Sequence, residues 1–275
     1  MKRMLKAACL LLATMLLFSA CGQTPANNNA QPSASAAAGD KQLPEKLIMG
    51  VDDSFPPMGF RDESGEIVGF DIDLAKAVGE HLGVTIEVQA IDWAVKEQEL
   101  NTKKIDLIWN GYTINEKRQQ QVLFSKPYLA NNQVIVVKKD SGYKTFADLK
   151  GKKVGIQSGS SAMEALDEAT ELKSSLGQVV EFKENVMALM DLDKGGVDAV
   201  AVDEVVANYY IAKDKYNFVL MDEKLAPEEY GIGFRKEDTQ LAEAFNSALL
   251  EMHKDGSLAK VAEKWFGKDI TIIGK

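Results

Sequence analysis

The chain has 275 residues, two cysteines and a formal charge of −9, with 32 basic against 41 acidic side chains. That balance argues against a nucleic-acid partner and against a polybasic membrane patch. The length leaves room for one large or two medium domains behind the N-terminal segment.

Lys2, Arg3 and Lys6 precede an uncharged, mostly apolar run of 12 residues, Ala7 to Phe18. The run is too short to span a bilayer comfortably, and residues 1–20 read as a secretory signal peptide. It ends in Ser19-Ala20-Cys21-Gly22. Small residues before a cysteine resemble the lipobox of bacterial lipoproteins, in which the cysteine is acylated and becomes the mature N-terminus. Phe18 departs from the leucine usual at its position. Acyl chains such as palmitate on Cys21 would contribute about 0.8 kcal/mol per buried CH₂, and several chains anchor stably. The expected location is the extracytoplasmic face of a bacterial cell membrane, held by the lipid alone. Cleavage would remove Cys9, so no intramolecular disulfide remains, and the loss of three cations takes the charge from −9 to −12. Residues 21–42 are rich in Ala, Asn, Ser, Gln and Pro. Such a stretch buries too little to offset its ordering entropy and reads as a flexible tether.

From Leu47 onwards, strand and helix patterns alternate. Leu47 to Val51 is a short apolar strand, broken by Pro56-Pro57 and Gly59. Glu66 to Val68 is a brief strand. Asp71 looks like a helix N-cap, with Leu74, Val78 and Leu82 on one stripe and Gly83 as the stop. Thr85 to Ala90 alternates as a strand does, and Lys96 to Asn101 is helical. Ile105 to Trp109 is a buried strand ending at Asn110-Gly111, followed by Thr113 and a helical start carrying Arg118.

The second half repeats the scheme. Strands are expected at Gln133 to Lys138, Val154 to Gln157, Val179 to Phe182 and Asp198 to Val202. Helices are expected at Ala162 to Glu168, Val186 to Leu192, Glu204 to Tyr210, Leu241 to Met252 and Leu258 to Trp265. The alternation implies an α/β fold of two similar lobes, each a mainly parallel sheet with covered faces. Ligands in such sheets bind at strand ends. One lobe offers Thr113 and Arg118; the other offers Asp203 at a strand end and Ser160-Ser161 at a helix start. Arginine presents a planar fork that fits a carboxylate, and a helix N-terminus favours an anion. An α-amino acid carries both charges, so Arg118 with helix N–H groups would hold its carboxylate and Asp203 its ammonium. Opposite charges on opposite lobes would make closure depend on the ligand.

Enzyme and metal readings find little support. The two histidines, His81 and His253, fall in no motif, and no serine sits in Gly-x-Ser-x-Gly. Asp71 and Asp73 are assigned to capping and surface, not to a metal. No cofactor or metal is expected.

Several motifs carry a family resemblance: Gly65 to Ala75, Gly111 to Arg118, Phe124 to Tyr128, Asp148 to Gly155, and Val202-Asp203. In this order and spacing the chain, from about Leu43 to Gly267, resembles the substrate-binding proteins of bacterial ABC importers for polar amino acids. That family includes the histidine-, lysine/arginine/ornithine- and glutamine-binding proteins. The resemblance implies the two-lobed type II periplasmic-binding-protein fold with the ligand cleft between the lobes. It implies that Arg118 clamps the α-carboxylate, that Asp203 takes the α-ammonium, and that Gly111 and Thr113 supply backbone and hydroxyl contacts. Ser161 matches a hydroxyl at the helix start, beside Ser160. Asp52, Phe55 and Trp93 match side-chain pocket positions. Asn110 stands where serine is common, Asn115 where threonine is usual, and Gln157 adds a polar group before the serine turn.

The expected organisation is lobe one from 43–131 plus 230–275 and lobe two from 132–229, hinged where the chain crosses twice. The expected function is capture of a polar or basic L-amino acid for an ABC permease, as a monomer. No cation falls in the expected side-chain pocket, which disfavours an acidic ligand, while Asp52 between aromatic walls suits a cation or an amide. A dehydratase-like enzyme or a ligand sensor on the same fold is the alternative.

Overall fold

The computed structural model describes residues 43–213 and 216–274. The expected signal peptide, acylated Cys21 and tether lie outside the described residues. The chain opens with β1 (Lys46–Val51), the short strands β2 (Ser54–Phe55), β3 (Gly59–Arg61) and β4 (Ile67–Val68), and helix α1 (Phe70–Leu82). Then come β5 (Thr85–Ala90), α2 (Lys96–Asn101), β6 (Leu107–Ile108), α3 (Glu116–Gln121) and β7 (Leu123–Phe124). The middle contains β8 (Leu129–Lys138), β9 (Lys153–Gln157), α4 (Ser161–Glu168), α5 (Thr170–Ser175), β10 (Gln178–Phe182), α6 (Asn185–Lys194), β11 (Ala199–Asp203), α7 (Glu204–Ala212) and β12 (Phe218–Tyr230). The chain closes with β13 (Gly233–Phe234), α8 (Thr239–Asp255) and α9 (Ser257–Phe266).

The strands make two five-stranded sheets, ordered β5-β1-β6-β13-β7 and β10-β9-β11-β8-β12, and a small β2-β3-β4 sheet. The two large sheets are the floors of two lobes. Strands of the first come from 46–124 and 233–234, and those of the second from 129–230, so the chain passes between the sheets at two places. Both sheets are mixed, which corrects the expectation of mainly parallel ones. β1 pairs parallel with β5 and β6, and β9 with β10 and β11, but β8, β12 and β13 run antiparallel to their neighbours. An antiparallel return needs no helical crossover, and β8 and β12 lie side by side over most of their length.

Central strands are apolar on both faces, as buried sheets require. All five residues of β11, Ala-Val-Ala-Val-Asp, are buried. Helix α1 buries Phe70, Ile72, Leu74, Ala75 and Val78 and ends at Gly83, whose left-handed backbone returns its N–H to Glu80 and Gly79. Trp109, at the end of the first sheet's central region, packs edge-on against Tyr128 and Phe245 of α8. Burial of rings of this size supplies much of a core's stability.

Candidate functional site

The site grows from the ends of β6 and β11. After β6 the chain cannot continue as a strand because Gly111 adopts φ 57. A Cβ there would stand 2.7 Å from the Phe55 ring and 3.3 Å from the Tyr230 ring. Glycine is therefore required both for its backbone and for space. The turn is held from below by Asp71, which accepts from Gly111 N at 2.7 Å and from the Tyr128 hydroxyl at 2.9 Å. This overturns the assignment of Asp71 to a cap or the surface. It is fully buried inside α1, and Gly69 occupies the N-cap. Burial pushes its pKa up to about 7, against the pull of the Gly111 and Tyr128 hydrogen bonds.

Arg118 sits in α3, which starts when Asn115 accepts from the Arg118 N–H at 2.8 Å. Its guanidinium is buried, lies 4.9 Å from the Tyr112 ring centroid, and donates to Thr113 O at 3.1 Å and Gly159 O at 3.3 Å. Gly159 follows β9 of the other large sheet. More contacts join the lobes: Thr113 Oγ1 to Ser161 Oγ at 2.9 Å, Gln157 Nε2 to Asp52 Oδ2 at 2.6 Å, and Lys96 Nζ to Gly159 O at 3.0 Å.

Each expected position can be located. Asp52, Phe55, Trp93, Asn110, Gly111, Thr113, Arg118, Gln157, Ser160, Ser161 and Asp203 are all buried. Asn110 Oδ1 accepts from Asp52 N at 2.9 Å, while its Nδ2 has no partner among the described residues. Asp52 accepts from Ser54 N and Oγ as well as from Gln157, and burial raises its pKa despite those bonds. Gln157 also accepts from Asn185 at 2.8 Å. Ser160 caps α4 by accepting from Met163 N. Asp203 occupies the N-cap position of α7, but its side chain makes no capping bond; it turns to Tyr230 Oη at 2.5 Å and Asn131 Nδ2 at 3.0 Å.

Sequence reasoning missed four residues around Asp203: Asn131, Gln133, Glu228 and Tyr230. Asn131 and Gln133 are two apart on β8, and Glu228 and Tyr230 are two apart on β12, so each pair faces one side of its strand. Alternation along β8 was the available signal; β12 was not read as a strand at all. Burial, then the neighbouring Glu228, pushes the Asp203 pKa well up. A fifth missed residue is Lys96, buried beside Trp93 with Nζ 4.9 Å from that ring centroid. It corrects the expectation that no cation lies near this pocket. Its charge is balanced by Glu97 at 3.2 Å, and burial lowers its pKa to about 8.

An open groove of about 770 Å³, lined by Thr113, Ser161, Glu164 and Glu228 among others, leads to the lobe contact. Among the described residues, no group of three or more His, Cys, Asp or Glu could hold a metal ion. No helix among them is long and apolar enough to cross a membrane.

Residues 47–268 match the family model for bacterial extracellular solute-binding proteins, family 3. The chain belongs to this family. The family 3 protein is 36% identical to the arginine-binding extracellular protein ArtP of Bacillus subtilis, over 96% of each chain. It is 35% identical to the histidine-binding periplasmic protein of Salmonella typhimurium, over 86% of this chain and 94% of the relative. Among solved structures it resembles a Streptococcus pneumoniae ABC uptake transporter substrate-binding protein with bound histidine, at TM-score 0.80 and 39% identity, covering 82% and 94%. It also resembles an ancestral amino-acid-binding protein described as a precursor of cyclohexadienyl dehydratase, at TM-score 0.74 and 36% identity, covering 81% and 96%. The two-lobed type II fold is thus common to this chain and its solved neighbours.

Proposed function

We propose that this protein is a lipid-anchored receptor that captures a polar or basic L-amino acid between its lobes and delivers it to an ABC permease. The observation that supports the reading is that Arg118 and Asp203 are both buried, one following β6 of the first sheet and the other ending β11 of the second. An amino-acid zwitterion complements both, and only a closed molecule brings both to it. Relatives named for arginine and histidine, and a solved neighbour with bound histidine, support a polar or basic ligand.

In this reading lobe one is 43–131 plus 230–275 and lobe two is 132–229. The strand membership of the two sheets supports that division, and the two passages of chain between the sheets would be the hinge. Phe55, Trp93 and Asp52, with Gln157 facing Asp52, would receive the ligand side chain. Gly111, Thr113, Ser160 and Ser161 would meet the carboxylate with Arg118. Cys21 would bear the acyl anchor.

The enzyme alternative draws on the neighbour described as a dehydratase precursor and on the raised pKa of Asp52. Asp52 is tied by Ser54 and Gln157, however, which suits a fixed binding group better than a proton shuttle.

A thermal-shift screen against the twenty amino acids, ornithine, citrulline and cystine tests the proposal, after unfolding and refolding to strip carried-over ligand. A ligand at a hundred times its Kd adds about 2.7 kcal/mol of stability. A clear rise with one or a few polar amino acids is expected. A flat profile across all of them contradicts the amino-acid reading.

A further inference from the structure

Asp203 does not stand alone. Glu228 lies opposite Asn131 in the β8–β12 register. The Asn131 amide donates to both carboxylates, to Asp203 Oδ1 at 3.0 Å and to Glu228 Oε1 at 2.6 Å. Gln133 Nε2 donates to Glu228 Oε1 at 2.8 Å and to Ser161 Oγ at 3.1 Å. Tyr230 completes the set through Asp203. Asp203 and Glu228 also hydrogen-bond each other, which takes a proton shared between them, and their other hydrogen bonds come from neutral amides and a hydroxyl, so no cation among the described residues pairs with either. Like charges this close are costly without a cation.

A second observation comes from a different atom. Gln133 is fully buried, and its Oε1 has no hydrogen-bond partner among the described residues. That orphan acceptor lies on the same amide that joins Glu228 to Ser161. A buried acceptor left unpaired costs about 1–3 kcal/mol. Asp203 and Glu228 therefore present their oxygens around the Asn131 amide, with the Gln133 amide nitrogen between Glu228 and Ser161. An ammonium group carries three donors and no acceptor.

We propose that Glu228 is a second, specificity-determining carboxylate for the ligand's ammonium, acting with Asp203. This rests on the amino-acid reading above and assigns a further residue to that site. It also gives a reason for four polar side chains on one face of β8 and β12, where a structural strand pair would carry apolar ones. Glu228 lines the groove together with Thr113 and Ser161, so it meets an incoming cation before the lobes shut. The receptor demands a charged amine: a ligand lacking it leaves two carboxylates facing each other.

The test uses calorimetry on the purified protein and its Glu228→Gln and Glu228→Asp variants. The probes are L-arginine, L-histidine and L-glutamine, each paired with the analogue lacking the α-amino group. For the probe that binds tightest, Glu228→Gln should weaken the amino acid at least tenfold. The same change should alter the analogue less than twofold. Glu228→Asp, which keeps the charge, should retain most of the preference for the amine. Equal losses for amino acid and analogue would show a merely structural role and overturn the proposal. So would an unchanged affinity for both. If the wild-type protein binds none of the three probes, the amino acid with the largest thermal shift and its analogue lacking the α-amino group take their place; only a wild type that binds no amino acid sinks the receptor reading, and the role of Glu228 with it.

Discussion

At the residue scale, buried charge decides the behaviour of this site. Asp203 is held above the usual carboxylate range by burial and then by Glu228, while the Tyr230 and Gln133 hydrogen bonds pull it down. The ammonium of a ligand needs the anion. Affinity should therefore be fullest above the raised pKa and fall as pH drops through it, measured by calorimetry across a pH series. A Kd that does not weaken as pH falls would contradict the role of Asp203. Asp71 acts on stability with its own sign. Its folded pKa of about 7 lies above the ordinary aspartate value of 3.8, so its contribution is full below the lower value and is lost as pH rises through the upper one. The loss amounts to up to about 4 kcal/mol, at 1.36 kcal/mol per unit. Urea midpoints of wild type and Asp71→Asn across pH ~4 to ~7 check this; the variant should lack that part of the slope. Gly111→Ala should cost roughly 1–3 kcal/mol and weaken ligand binding, because φ 57 and the Phe55 ring leave no room for a methyl group. A denaturation curve matching wild type would refute that.

At the element scale, the short caps and turns matter more than the long strands. Ser160 starts α4 by accepting from Met163 N, and Ser161 then faces Thr113. Ser160→Ala should cost about 1 kcal/mol of stability, read from thermal unfolding, and should loosen the turn that Arg118 and Lys96 hold at Gly159. This scale also shows what the sequence could and could not say. Strands such as Lys46–Val51 and Ala199–Asp203 were legible because apolar runs between turn signals have few other uses. Phe218–Tyr230 was not. It carries Asp222, Glu223, Lys224, Glu228 and Glu229, and its register shifts around Lys224. A charged strand beside β8 gives no local hydrophobic signal, so the residues it brings to Asp203 stayed hidden. Asp203 stood out because it ends an apolar strand with a charge, and Arg118 because it opens the helix after the strand that stops at Asn110-Gly111. Asp71 misled because an aspartate before an apolar stripe normally caps a helix, and only the tertiary partners Gly111 and Tyr128 reveal its use.

At the scale of the whole molecule, the segments carrying the two sheets share one buried apolar cluster, from Leu47, Phe70 and Trp109 to Val134, Leu189 and Phe218, and polar contacts add to it. Asp52–Gln157, Thr113–Ser161 and the donors to Gly159 O cross the contact. Such contacts exchange readily with water, so a ligand with differential affinity for the closed form can drive the equilibrium. The account rests on one idea, that a zwitterion bridges Arg118 on one lobe and Asp203 on the other. The measurement that tests it most directly is the Kd of Arg118→Met and Asp203→Asn for the amino acid that gives the largest thermal shift. Removing one partner of a buried charge pair costs roughly 2–5 kcal/mol, which is about thirtyfold or more in Kd. Both variants should lose at least that much while keeping the wild-type fold. Near-wild-type affinity in either one would contradict the account.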